Sequence, residues 1–388
     1  MSGTMEWLSI ALILNLLKNK ARLILQQVQD ERRDIVRLSL IVIAANLLLC
    51  FVHIKSEPCF SYDFTQYHVI DTSRQELYPH GAAHPYREFM LHVWIPITQE
   101  EQCPLILFSH GLGDIFNGMT YTQLCQYCAS RGYVVASVSH TYGCKPIQLS
   151  TGKSAQYLFP APVHHQVGKN MYDIEADMWV EDMVRALDEC ARQNINQESV
   201  LYNKIDMSRI GAMGHSLGGS VAIQLCRKDG RIGAAINLDG PLYGTDACAP
   251  IYQPTMFIIG SFVAPGLSIF SPIISIRDAL MWSMHFNNAS LPLINTFIAG
   301  QNSDVYKITI KGIVHDTFSD AGLNPESALT RWLIDGTLAH TIVHAYVGAF
   351  FDCYLKHHYV PLLQELVSCW PNVTVEKSNL SGVFPTIF

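Results

Sequence analysis

The chain has 388 residues, enough for one large α/β domain and an appendage. Only 15% of them are charged, the formal net charge is −7 and the mean hydropathy is +0.16, so the chain is more apolar than an average soluble protein. No basic stretch interleaved with aromatics occurs, which excludes nucleic acid as the expected partner.

Residues 1–56 read as an N-terminal helical, membrane-associated segment. Trp7 to Leu17 is too short to span a bilayer and has the character of an interfacial helix with a basic stretch behind it. Leu38 to Ile54 is apolar enough to enter a bilayer, at the short end of what spans one. Lys18, Lys20, Arg22, Arg32, Arg33 and Arg37 precede it and only Lys55 follows closely. The positive-inside rule then keeps the N-terminus cytoplasmic and sends the remainder across, as a signal anchor. A cleaved signal peptide, which would leave the protein secreted, fits less well because the segment begins late and no A-x-A site follows. Cys50 after Leu47-Leu48-Leu49 is a poor lipoprotein box. Two further readings stay open: a hairpin that leaves the domain inside, and two buried helices packed on the domain.

Residues 57–388 read as the second, larger unit. Phe89 to Pro96 alternates and reads as an early antiparallel strand; Pro104 to Ser109 is a continuous apolar run, as for a central parallel strand buried on both faces. It ends in His110-Gly111-Leu112-Gly113. Tyr121 to Arg131 reads as a helix and Tyr133 to Val138 as the next strand. Cys125 and Cys128 form C-x-x-C inside that helix, but no second pair stands at zinc-site spacing, so no metal is expected. If the domain is exported some of the chain's eleven cysteines can pair, in a pattern the sequence does not assign. Lys145 to Asn170 is irregular and reads as a loop at the mouth of a site, with His164-His165 as ordinary loop residues. Gly152-Lys153-Ser154 is no phosphate loop, because Ile147 stands where the first glycine is needed. Asp173 to Arg192 has a helical apolar period.

Ile210 to Met213 then reads as a buried strand, Gly214-His215-Ser216-Leu217-Gly218 fits G-x-S-x-G, and a helix follows with Ser220 to Leu225 in it. That strand–turn–helix context is what a nucleophile elbow requires, with the serine on a strained turn at a helix N-terminus. The H-G-x-G turn after the earlier strand supplies a backbone N–H at Leu112, which with the N–H of Leu217 would form an oxyanion hole. Ile232 to Leu238 and Thr255 to Gly260 read as further strands, and Val305 to Ile310 as the final one. The β–α alternation predicts a doubly wound, mostly parallel central sheet with helices on both faces. Asp239 ends the strand after the elbow, and His315 lies on the loop beyond Ile310. The order Ser216, Asp239, His315 is that of the α/β-hydrolase fold. Asp304 is a rival acid at the wrong edge of the sheet, and Asp316 is too close to His315 in sequence to reach its ring.

These motifs resemble the platelet-activating-factor acetylhydrolase family of α/β-hydrolases, the plasma and intracellular type II kind. The resemblance rests on F-S-H-G-L-G at 108–113, G-H-S-L-G-G at 214–219, L-D at 238–239, K-G-I-V-H-D-T-F-S-D at 311–320 and the short interval of 23 positions from Ser216 to Asp239. It implies Ser216 as nucleophile, Asp239 as acid, His315 as base, Leu112 and Leu217 as oxyanion donors, and no cofactor. It further implies an esterase of the phospholipase A2 type acting on short or oxidised sn-2 acyl chains. Alternatives are a carboxylesterase or lipase for other esters, a dienelactone-hydrolase-like or polyester-cleaving enzyme, and an inactive hydrolase-fold binding protein. The expected partners are a lipid or small ester substrate and, through residues 1–56, a membrane. Residues 262–303 form an apolar insertion that reads as a lid or lipid-facing surface, a second core cluster or a dimer contact.

Overall fold

The chain divides into two units, Met1–Ser56 and Glu57–Phe388. The computed structural model describes residues 59–76, 86–114, 119–144, 146–158, 170–261, 286–323, 334–364, 366 and 368–378, all in the second unit. The expected membrane segment, His164-His165 and most of the apolar insertion lie outside the described residues. No described helix is long and apolar enough to cross a membrane.

Nine strands form one sheet. In chain order they are β1 (Tyr62–Gln75), β2 (Tyr86–Pro96), β3 (Cys103–Ser109), β4 (Val134–Ser139), β7 (Ile205–His215), β8 (Ile232–Leu238), β9 (Thr255–Ser261), β10 (Val305–Lys311) and β11 (Val373–Lys377). A separate two-residue ribbon, β5 (Ile147–Gln148) and β6 (Ser154–Ala155), sits within the stretch read as irregular. The spatial order is β1-β2-β4-β3-β7-β8-β9-β10-β11. β4, β3, β7, β8, β9 and β10 are parallel neighbours, while β1, β2 and β11 run antiparallel at the two ends. This is the mostly parallel, helix-covered sheet of the α/β-hydrolase class.

The centre follows from composition. β3 is buried at all seven positions, which only an uninterrupted apolar run can satisfy in a sheet covered on both faces. Helices α2 (Met171–Ile195) and α3 (Leu217–Lys228) pack together on one face, contributing Trp179, Met183, Leu187, Val221 and Leu225 to a core shared with Leu105, Leu107 and Ala212. On the other face, α1 (Thr122–Ser130) and α5 (Gly336–Leu355) pack together, and Phe351 of α5 lies over Gly211 of β7. Within the insertion the described part holds α4 (Leu291–Ala299), which sends Ile294, Phe297 and Ile298 into the core.

Two sequence expectations are corrected. β10 is not the last strand: β11 pairs antiparallel with it, from Tyr306 opposite Lys377 to Ile310 opposite Val373. The elbow strand begins at Ile205 rather than Ile210, because Pro104 pairs with Asp206 and Leu105 with Ile210, so a bulge absorbs Met207, Ser208 and Arg209. Asp206 holds that bulge, accepting from the Ser208 amide and hydroxyl and from Arg209 Nε.

Candidate active site

The elbow is built from close backbone approach. A Cβ on Gly214 would stand 2.1 Å from the Gly218 carbonyl oxygen, and one on Gly218 would stand 2.1 Å from that of Ser109, so neither position accepts a side chain. Between them Ser216 adopts φ 56° and ψ −124°, a strained backbone for a non-glycine residue, costing on the order of 1–3 kcal/mol. Its amide donates to Leu238 O at 3.0 Å, which ties the strained turn to β8. Ser216 starts α3 but its hydroxyl makes no capping bond, and it is half-buried among fully buried neighbours.

Asp239 follows β8 with φ 50°, in the left-handed region that Asp tolerates better than most residues. Its Oδ1 accepts the Gly260 amide at 2.8 Å and its Oδ2 lies 2.7 Å from His315 Nδ1. His315 opens a one-turn helix, His315–Phe318, on the loop after β10. The acid is 3% exposed and the histidine 17%, so the pair is shielded while the ring keeps one open side. Burial pulls the His315 imidazole below its ordinary value of 6.5, and the resting ring is neutral. The Asp239 carboxylate receives its Nδ1–H, which leaves Nε2 as the basic nitrogen.

The rival acids are held elsewhere. Asp304 precedes β10 at the opposite edge of the sheet, where Oδ2 accepts from Tyr354 Oη at 2.6 Å and Oδ1 pairs with Lys377 Nζ at 3.0 Å. Asp316 is exposed in the one-turn helix, and the His315 ring takes its carboxylate contact from Asp239 instead.

The oxyanion turn lies against the elbow: a Cβ on Gly111 would be 3.3 Å from Ser216 Cβ. The Gly111 amide donates to Tyr121 Oη at 3.2 Å and the Gly113 amide to Gly143 O at 2.8 Å. The Leu112 amide has no acceptor among the described residues, and neither does that of Leu217 at the start of α3.

Several residues that sequence reasoning passed over complete the surroundings. Tyr121 Oη and His215 Nδ1 share a hydrogen bond at 2.7 Å. The His215 ring packs on His315 with centroids 4.3 Å apart and on Phe318 at 5.6 Å. Burial pulls the His215 imidazole well below its usual range, so it adds no positive charge beside the His315 ring. Asp320 accepts the Gln123 amide at the start of α1, tying the histidine loop to the helix that follows Tyr121. The signals were present as residue x of the elbow and the last acid of the H-D-T-F-S-D run, but roles defined by partners far away in sequence cannot be read locally.

A second Ser-His-Asp alignment lies behind the turn. Ser109 Oγ donates to His140 Nε2 at 2.9 Å, and His140 Nδ1 donates to Asp182 Oδ2 at 2.9 Å. All three residues are fully buried, so this alignment has no access to substrate. Burial opposes ionisation of Asp182, but the guanidiniums of Arg87 and Arg74 and the His140 bond outweigh it and hold the carboxyl well below the usual range. Burial pushes His140 down to about 3 against the pull of Asp182. No group of three or more His, Cys, Asp or Glu among the described residues could hold a metal. Cys125 and Cys128 are buried thiols whose ionisation burial suppresses.

Residues 93–149 match the family described as platelet-activating factor acetylhydrolase, isoform II, and residues 169–309 match the family described as PET hydrolase-like. Platelet-activating factor acetylhydrolase of Gallus gallus is 24% identical over 249 residues, which cover 57% of this chain and 53% of that protein. A probable 1-alkyl-2-acetylglycerophosphocholine esterase of Arthroderma benhamiae is 29% identical over 144 residues, covering 36% of this chain and 32% of that one. The Cavia porcellus platelet-activating factor acetylhydrolase is 28% identical over 188 residues, covering 42% and 41%. The chain is a relative of the platelet-activating factor acetylhydrolases. Its matches span about a third to a half of the length of these relatives. Among solved structures, a ferulic acid esterase from Streptomyces cinnamoneus superposes with a TM-score of 0.60 at 22% identity, covering 81% of this chain and 96% of that one, and so shares the fold.

Proposed function

We propose that this protein is a serine ester hydrolase of the platelet-activating-factor acetylhydrolase type, working through an acyl-enzyme. The observation that carries the reading is the 2.7 Å contact of His315 with Asp239, whose ring packs on the residue preceding an elbow serine. In the first step His315 Nε2 takes the Ser216 proton as Oγ attacks the acyl carbonyl. The developing oxyanion is received by the Leu112 and Leu217 amides, each worth about 3–4 kcal/mol in the transition state. The imidazolium, stabilised by Asp239, returns its proton to the departing alkoxide. Water then enters, gives a proton to His315 and attacks the acyl-enzyme, and the acid leaves as Ser216 regains its proton.

The substrate we infer is a phospholipid with a short or oxidised sn-2 acyl group, supported by the kinship with acetylhydrolases. Each CH₂ drawn from lipid costs about 0.8 kcal/mol, which favours chains whose carbonyl reaches Ser216 without extraction of a long tail. The PET hydrolase-like match over residues 169–309 supports a second reading, esters other than phospholipids. Hydrolysis of phosphatidylcholines differing only in sn-2 length, run beside simple aryl esters, distinguishes them: rates falling from acetyl to palmitoyl support the first, and turnover of the aryl esters with none of the phosphatidylcholines supports the second. We also infer, from Leu38 to Ile54 and the arginines before it, that the segment within residues 1–56 anchors the protein with its catalytic domain on the non-cytoplasmic side. Extraction of the full chain from membranes by alkaline carbonate would contradict that anchor.

A further inference from the structure

His110, a residue the mechanism above does not use, lies between the buried Ser109–His140–Asp182 alignment and the oxyanion turn. His110 is fully buried between β3 and the oxyanion turn, with its ring edge-on to Trp179 at 4.9 Å and to His140 at 5.2 Å. Its Nε2 accepts the backbone N–H of His140 at 3.0 Å. A neutral imidazole that accepts at one nitrogen carries its proton on the other, and burial keeps this ring neutral. The proton is therefore on Nδ1, which donates to Gly111 O at 2.7 Å. In a trans peptide the C=O and N–H point in opposite directions. Holding the Gly111 carbonyl toward His110 turns the Leu112 N–H away from it, and the amides on either side are already committed to Tyr121 Oη and Gly143 O.

We propose that His110 is a positioning residue for the oxyanion hole: its Nδ1–H fixes the Gly111–Leu112 peptide so that the Leu112 amide faces the substrate carbonyl. The inference rests on the serine-hydrolase reading of the site. The buried Ser109–His140–Asp182 alignment then acts as its mounting. Asp182, anchored by Arg87 and Arg74, holds the His140 ring, Trp179 stacks on that ring at 4.1 Å and 6°, and the His140 amide sets the His110 tautomer.

The test compares His110→Asn, His110→Gln and His110→Ala in the full chain, using p-nitrophenyl acetate. The Asn side-chain amide reaches the place of the imidazole Nδ1 and keeps the bond to Gly111 O; Gln offers its groups near Nε2 and does not. Loss of one oxyanion donor lowers kcat by about 10²–10³-fold. His110→Gln and His110→Ala should fall by about 10²-fold with KM little changed, and His110→Asn should stay within about tenfold of the parent. A purely structural role would make kcat follow thermal stability, with Asn and Gln alike; that result, or parental kcat in all three, overturns the inference. If Gln and Ala do not fold, the ¹⁵N-histidine NMR spectrum of the unmodified protein decides, with His110 as the Nδ1–H tautomer expected and the Nε2–H tautomer contradicting it. An unmodified protein that neither hydrolyses the ester nor reacts with a fluorophosphonate at Ser216 would instead overturn the functional reading itself.

Discussion

Asp239→Asn should lower kcat by about 10⁴-fold while leaving the fold intact. The structure dictates how the new amide sits. The Gly260 amide donates to Oδ1 at 2.8 Å, so the Asn carbonyl oxygen must occupy that place and its NH₂ must take the place of Oδ2. That NH₂ then faces His315 Nδ1 at 2.7 Å, where two N–H donors cannot coexist. The ring must move its proton to Nε2, the nitrogen that has to accept from Ser216, and the imidazolium also loses its counter-charge. A 10⁴-fold loss corresponds to about 5.4 kcal/mol of transition-state stabilisation. The control is Asp304→Asn, which removes an ion pair to Lys377 in which the acid is 44% exposed. Such a pair is worth about 0–1 kcal/mol, so its kcat should stay within a factor of about five. The assay is steady-state hydrolysis of p-nitrophenyl acetate by proteins of matched thermal stability. If Asp239→Asn kept more than about a tenth of the parental kcat, or Asp304→Asn proved the more damaging, the placement of the acid would be refuted.

Three further outcomes are expected. Asp182→Leu should destabilise the protein by about 3–5 kcal/mol, because the buried Arg87 loses both of its bonds to Asp182 and the longer 3.3 Å pair with Glu76 does not replace them; Arg87→Met with Asp182→Leu should recover much of the loss in denaturant unfolding. Gly218→Ala should abolish folding or activity, since its Cβ would meet the Ser109 backbone at 2.1 Å, whereas Gly230→Ala, with open space around it, should be tolerated in thermal melts. Burial holds His110, His140 and His215 neutral, so the unfolded chain binds protons below pH 6.5 that the folded chain refuses. Stability is therefore full above 6.5 and falls as pH drops below it, by up to about 1.4 kcal/mol per pH unit for each ring; acid unfolding curves with no loss between pH 6.5 and 5 would contradict this.

The parts of the fold legible in sequence are those whose burial leaves one reading. β3, β4, β8 and β9 are short apolar runs with every or nearly every position buried, and they read as central parallel strands. β1 carries polar residues at most positions and is exposed along much of its length, so it lacks that signature. β11 is only five residues long, and α5 is apolar on all sides, so it has no amphipathic stripe to mark it. Ser216, His315 and Asp239 stood out because a serine between glycines, and an acid and a histidine just beyond the ends of β8 and β10, are punctuated by backbone requirements. His110, His140 and Tyr121 did not. Their roles depend on hydrogen bonds across 30 to 94 positions of chain, fixed only when β3, β4 and β7 come side by side.

The central claim is that Ser216 is a nucleophile activated by His315. The most direct measurement is mass spectrometry of the full chain after reaction with a fluorophosphonate. The account predicts one phosphonyl group, on Ser216, with none acquired by Ser216→Ala and a greatly slowed reaction in His315→Ala. Absence of labelling in the folded protein, or labelling elsewhere with ester hydrolysis surviving in Ser216→Ala, would contradict it.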